Sequence, residues 1–170
     1  MDHQSGFSLL ELICVLAILS ILAYVGSSQL LTVSQDSKDK KSLTADIKAL
    51  SEALLQARQL AVASGEESFV CGGDNCSGNW SSGLRLYQAS RDLGEEKEYR
   101  QITFEAPLQV SWRGFPANKK QIEYQPNGLS GYQNGTFLFC LGRWQGSLVL
   151  NQSGRFYIAD TRRQEGEDCL

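Results

Sequence analysis

Glu11 is the residue with the clearest chemistry, because it stands inside an apolar run that extends from Phe7 to about Val25. A carboxyl group at the centre of a bilayer costs about 2.5–3.5 kcal/mol even on lenient insertion scales. It therefore calls for a cationic partner, and the run contains none. The cysteines come next. Cys14 lies within the run and reads as a small apolar helix residue, whereas Cys71, Cys76, Cys140 and Cys169 lie in the polar remainder. Structural zinc draws on knuckles of two cysteines about two to four residues apart. Cys71 and Cys76 make one loose pair at best, and Cys140 and Cys169 are far apart, so disulfides fit the spacing better than a metal. Four cysteines allow three pairings. The expected ones are Cys71–Cys76, closing a turn, and Cys140–Cys169, tying the C-terminal segment to a core strand. The longer loop should stabilise more, by roughly 3–4 kcal/mol in the chain-entropy model.

No pattern of an enzyme accompanies these residues. The single histidine, His3, precedes the apolar run, and there is no phosphate loop, metal cluster or nucleophile motif. The serines lack a base at any recognisable spacing, so neither catalysis nor a cofactor is expected. With 170 residues, 42% hydrophobic and 21% charged, the chain has room for one sizeable globular domain besides the run.

The elements that carry these residues follow from periodicity. Beyond the run, Gly26-Ser27-Ser28 weakens the helix, since glycine costs about 1 kcal/mol relative to alanine. Leu43, Ile47, Leu50, Leu54, Ala57 and Ala61 then recur at the spacing of one helix face, and Gly65 supplies a stop. The pattern predicts one long helix over Phe7–Ser64. Its second half should pack on the protein's own sheet, because the sustained heptads of a coiled coil are missing. Runs rich in β-branched and aromatic residues predict strands at Ser68–Cys71, Leu84–Gln88, Arg100–Phe104, Gln109–Trp112, Ile122–Tyr124, Thr136–Leu141, Ser147–Leu150 and Arg155–Ala159. The expected class is α+β, a long N-terminal helix on an antiparallel β-rich head. Asn75, Asn79, Asn134 and Asn151 begin Asn-x-Ser/Thr sequences, which read as polar, turn-rich segments.

Gly6-Phe7-Ser8-Leu9-Leu10-Glu11 before an apolar helix resembles the class III signal of type IV pilins and pseudopilins. The resemblance implies cleavage by a prepilin peptidase between Gly6 and Phe7, N-methylation of Phe7, and an assembly role for Glu11, fifth after the cut. A cut there supplies the missing cation, because a neighbouring chain's new α-amine lies at the depth of Glu11 when helices pack side by side. The implied segments are a leader at 1–6, a membrane and assembly segment at 7–25, an amphipathic continuation at 26–64 and a head at 66–170. An ordinary secretory signal has a basic start and an uninterrupted core, and this sequence has neither. The first cations, Lys38, Lys40 and Lys41, follow the run. The peptidase nonetheless requires a cytoplasmic leader, and oxidised cysteines suit a periplasmic head, so the orientation is single-pass in a bacterial inner membrane. A cleaved chain keeps 16 basic and 18 acidic residues and no histidine.

Leu54-Leu55-Gln56-Ala57-Arg58, Trp80 with Gly83, Tyr124-Gln125-Pro126-Asn127-Gly128, Phe137-Leu138-Phe139-Cys140 and Leu148 through Arg155 resemble the FimT/FimU and GspH branch. Many family members carry proline near Ser28, where this chain does not. The branch implies a minor pilin that primes or caps a type IV pilus. The alternatives are an H-type minor pseudopilin of type II secretion and a DNA-binding minor pilin. Its partners would be the peptidase, other pilins or pseudopilins and an inner-membrane assembly platform. DNA-binding relatives carry Gly-Arg-x-Arg, where this chain reads Gly154-Arg155-Phe156-Tyr157. Arg155, Arg162 and Arg163 are the candidate DNA contacts. From Phe139 onward, however, Arg143 and these three are balanced by Asp160, Glu165, Glu167 and Asp168, and a phosphate-directed surface needs excess cation. Lys119-Lys120 reads as an exposed loop. Paired body cysteines suit a pilus component outside the cell and favour the minor-pilin reading.

Overall fold

A computed structural model of the chain describes residues 9–89 and 96–164, with the backbone alone for residues 25–33. Its elements are the helix α1 (Leu9–Ser64) followed by β1 (Ser68–Gly72), β2 (Gly83–Ala89), β3 (Glu96–Thr103), β4 (Gln109–Phe115), β5 (Gln121–Tyr124), β6 (Asn134–Leu141), β7 (Trp144–Leu150) and β8 (Phe156–Arg163). Each of the eight expected strands is present, and the class is α+β. Contacts divide the chain into two units, 1–38 and 39–170, so the second half of α1 belongs with the strands.

In the larger unit the strands form two four-stranded antiparallel sheets, ordered β3-β2-β1-β5 and β4-β6-β7-β8. The predicted helix stripe is the core's spine: Leu43, Ile47, Leu50, Leu54, Ala57 and Ala61 are all buried. They share one apolar cluster with Val70, Leu84, Leu86 and Ile122 of the first sheet and Phe137, Phe139, Leu148 and Leu150 of the second. The stripe is thus consumed by the protein's own sheets. Leu148 and Leu150, and likewise Phe137 and Phe139, alternate with more exposed residues at the two-residue strand period. The helix ends where glycine permits it: Gly65 has φ 73°, and its N–H closes on the Ala61 carbonyl at 3.0 Å. Buried Ser68 opens the first strand with its hydroxyl donating to the Ala57 carbonyl.

Trp80 joins the two sheets. Its ring meets Phe137 edge-on at 4.7 Å, its Nε1 donates to the Lys119 carbonyl at 2.8 Å, and the neighbouring Ser81 Oγ accepts from Val110 N at 2.8 Å.

Several strands run further than the sequence indicates, β7 from Trp144 among them. β3 starts at Glu96 because Arg85 on β2 reaches Glu98 at 2.7 Å and Glu96 at 3.0 Å, pairing a segment with little apolar character. β4 and β6 extend through Gly114 and Gly135, which face each other in register. A Cβ at Gly114 would lie 2.5 Å from the Gly135 Cα and 2.8 Å from the Trp112 ring, so these glycines permit close strand approach instead of marking turns. β8 continues to Arg163, opposite Trp144.

Candidate assembly site

The site begins with Glu11, close to the first described residue of α1. Around it the helix is apolar on every side: Leu9, Leu12, Ile13, Leu16, Leu19 and Leu22 are each more than half exposed. Such a surface suits lipid or packed neighbouring helices. Cys14 is a free, exposed thiol. Gly6 and Phe7 lie outside the described residues. Among the described residues no helix is long and apolar enough to cross a membrane. The described part of the run, Leu9–Tyr24, makes about 24 Å of helix against roughly 30 Å of hydrocarbon. The expected span also includes Phe7, Ser8 and Val25. The weak point expected at Gly26 falls where only backbone is described, and α1 is helical through it.

In the head, Cys71 and Cys76 are joined as expected, with their Cα atoms 5.0 Å apart. Cys140 is disulfide-bonded, and its expected partner, Cys169, lies outside the described residues. The first bond staples the loop before Trp80, which contains Asn75 and Asn79. Asn151 leads a turn, while Asn134 opens β6.

The basic candidates are spread along β8. Gly154 turns the chain with φ 73°, and exposed Arg155 follows it. Arg162 and Arg163 stand at the opposite end of the strand, about 23 Å away at strand rise. Arg162 donates to the Gln145 side-chain oxygen at 2.8 and 3.1 Å in the amide orientation that satisfies both groups. The Arg163 guanidinium lies 5.5 Å from the Trp144 ring centroid, whose other cation, Lys40, is 4.7 Å away. Lys120 is exposed, but Lys119 is half-buried beside a cavity of about 300 Å³ lined in part by Trp80 and Trp112. Burial pushes its ammonium below the ordinary lysine pKa, and the Glu123 charge partly offsets this.

The loop between β5 and β6 is fastened to the turn between β7 and β8. Ser130 Oγ lies 3.0 Å from the Asn151 carbonyl, 3.1 Å from that of Gln133 and 3.2 Å from that of Gln152, sharing one proton among them. Buried Gln133 accepts from Glu123 N and donates to the Glu123 carbonyl, both at 3.2 Å. The Tyr124 hydroxyl donates to the Gly154 carbonyl at 3.4 Å, and burial pushes its pKa well above the ordinary tyrosine value. This bracing holds an exposed loop with Leu129 and Tyr132 at its surface. These two residues, and Leu55 and Val62 of α1, also exposed, lie outside the patterns that mark the core. The available signal was the seven-residue spacing of two leucine-class residues outside the buried stripe.

The fold is shared with solved pilin-class heads. It is similar to the type IV minor pilin FimU of Pseudomonas aeruginosa in two crystal forms. One matches at 16% identity and TM-score 0.56, covering 69% of this chain and 92% of that one. The other matches at 18% and 0.56, covering 74% and 91%. It is also similar to the minor pseudopilin EpsH of the Vibrio cholerae type 2 secretion system, at 16% identity and TM-score 0.54, covering 69% and 96%. No curated protein matches the chain in sequence. Long helix, antiparallel head and a prokaryotic N-terminal methylation motif matched over residues 1–23 define a protein of the pilin and pseudopilin class. Residues 46–154 match the family described as type II transport protein GspH, and the chain belongs to that family. The family is one of structural filament subunits, and its motif fits a membrane-anchored pilus or pseudopilus protein.

Proposed function

We propose that the chain is a minor pilin of a type IV pilus, cleaved between Gly6 and Phe7 and N-methylated at Phe7 by a prepilin peptidase. The observation that carries this reading is a carboxylate, Glu11, in the otherwise apolar first part of α1, within a methylation motif. The Phe7–Val25 segment anchors the precursor in the inner membrane with the head in the periplasm. During assembly Glu11 meets the new α-amine of a neighbouring subunit. Opposite charges attract strongly at low dielectric, while desolvation offsets much of the gain, so the pair acts chiefly to select register. The chain acts as a structural subunit without catalysis.

The pilus is preferred over the secretion pseudopilus because the head is stapled at Cys71–Cys76 and oxidised at Cys140, as suits a component exposed outside the cell. The second reading, a minor pseudopilin of type II secretion, draws support from the name of the matched family. A DNA-uptake role would need duplex contacts following β8 from Arg155 to Arg163. A mobility shift at low salt, lost when Arg155, Arg162 and Arg163 are replaced, would support it. Absence of a shift removes it.

Glu11→Ala tests the main reading. Cleavage should be intact and incorporation into sheared pili abolished. Wild-type levels of the variant in pili would overturn the mechanism.

A further inference from the structure

Strand β4 is the outer strand of its sheet, so one side of its backbone has no neighbouring strand. In an antiparallel ladder the N–H and C=O of one residue point to the same side, and the side alternates along the strand. The Ser81 hydroxyl accepts from the Val110 N–H at 2.8 Å and donates to the Val110 carbonyl at 3.3 Å, so Val110 points away from β6. The unbroken register with β6 then turns the N–H and C=O of Trp112 and Gly114 to the same outer side. Ser81 covers this edge at Val110 alone. Among the described residues no group bonds the outward backbone of Trp112 or Gly114. Side-chain covering is the device this head uses elsewhere: on β5, the outer strand of the other sheet, Gln133 takes up both the N–H and the C=O of Glu123. The second half of β4 lacks it.

That open stretch borders the cavity of about 300 Å³ described above. Val110 and Trp112 line the cavity from the strand side, and Asn118, Lys119 and Lys120 line it from the following loop. Its lining includes two lysines and no acid. Lys119 is half-buried and short of solvation, so an anion beside it would favour its charged form. Gly114 brings no side chain to shield its edge, and glycine inside a strand marks places where another backbone approaches closely.

We propose that the Trp112 and Gly114 edge and this cavity bind an extended acidic peptide segment, which adds to β4 as a short strand and sets a carboxylate beside Lys119 and Lys120. Donor and acceptor groups repeating every second residue match the repeat of an extended polypeptide, which supplies both partners from its own main chain. A nucleic-acid backbone fits less well, because phosphates accept hydrogen bonds and donate none, leaving the Trp112 and Gly114 carbonyls unpaired. Lipid tails pair with neither group. The inference is independent of whether the chain enters a pilus or a pseudopilus.

Amide hydrogen exchange of the full chain in detergent, read residue by residue by nuclear magnetic resonance, tests the proposal. In the free chain the Trp112 and Gly114 amides should exchange roughly tenfold or more faster than those of Ser111 and Arg113, which face β6. The ligand probe is a pool of short peptides with valine and glutamate at alternate positions and random ends. It should slow both outward amides roughly tenfold, whereas the same pool with lysine for glutamate should not. Lys119→Gln with Lys120→Gln should abolish the slowing while sparing the Lys119 main-chain carbonyl that Trp80 uses. Should the double variant fail to fold, Lys120→Gln alone, at an exposed side chain, must still weaken the effect. Outward amides that exchange as slowly as their neighbours in the free chain would show that the edge is closed, and would overturn the proposal. So would an acidic pool without effect, a lysine pool of equal effect, or slowing by a single-stranded oligonucleotide in place of the peptides.

Discussion

Gly154→Ala, compared with Gly65→Ala, separates a backbone penalty from a packing penalty. Both glycines have φ 73°. An added Cβ at Gly65 meets nothing within 4 Å, whereas at Gly154 it would sit 2.4 Å from the Gly128 carbonyl oxygen and 3.1 Å from Tyr124 Cε1. Each variant pays roughly 1–2 kcal/mol for a left-handed residue with a Cβ. At position 154 the obstacle is backbone, and the Gly128 N–H is itself committed to the Gln125 carbonyl at 2.8 Å. The carbonyl therefore cannot move without disturbing the loop, which adds an overpacking cost of about 1–3 kcal/mol. Gly154→Ala should lose about 2–5 kcal/mol and Gly65→Ala about 1–2 kcal/mol. At roughly 3–4 °C per kcal/mol for a domain of this size, the melting temperatures should differ by about 3–12 °C. Thermal unfolding of the purified chain in detergent, followed by tryptophan fluorescence and far-ultraviolet circular dichroism, measures the difference. Equal losses in the two variants would refute the claim that contact between the two loops holds this end of the head.

Three other outcomes follow from the same geometry. Leu50→Ala and Leu54→Ala remove fully packed helix side chains and should each cost about 2–5 kcal/mol by denaturant titration, whereas Leu55→Ala should cost well under that in the isolated chain. Joint replacement of Cys71 and Cys76 by serine should cost about 2 kcal/mol for so short a loop, measurable as a lower urea midpoint. Burial raises the Asp46 pKa, with like-charge repulsion from Glu105 acting the same way and the Ser42 hydrogen bond opposing both. A carboxyl with a raised folded pKa contributes stability below its unfolded value, roughly 3.9, and that contribution is lost as pH rises through the folded value. Asp46→Asn should therefore flatten the stability profile just above that pH. An unchanged profile would contradict the assignment.

The apolar stripe from Leu43 to Ala61 predicts the buried face of α1 because helical periodicity is local and a stripe of that width has to be covered. The strands were legible wherever β-branched and aromatic residues alternate, as in Phe137 to Leu141. They were illegible where pairing comes from the opposite strand: Glu96 to Glu98 are held by Arg85, and Gly114 and Gly135 by each other. Gly154 turns the chain and exposed Arg155 follows it. The distance from Arg155 to Arg162 was equally implicit once β8 was known to continue to Arg163.

The sequence alone determined what depends on residues close in the chain: the methylation motif that contains Glu11, the helix and its buried face, and the expectation of a short Cys71–Cys76 bridge. Only the tertiary structure decided how the strands divide into two sheets joined at Trp80, and how Gly128 brings the β5–β6 loop to Arg58. Such contacts link residues far apart in sequence, about 70 positions from Arg58 to Gly128. Their closure is selected by packing of the whole core, which no local pattern encodes.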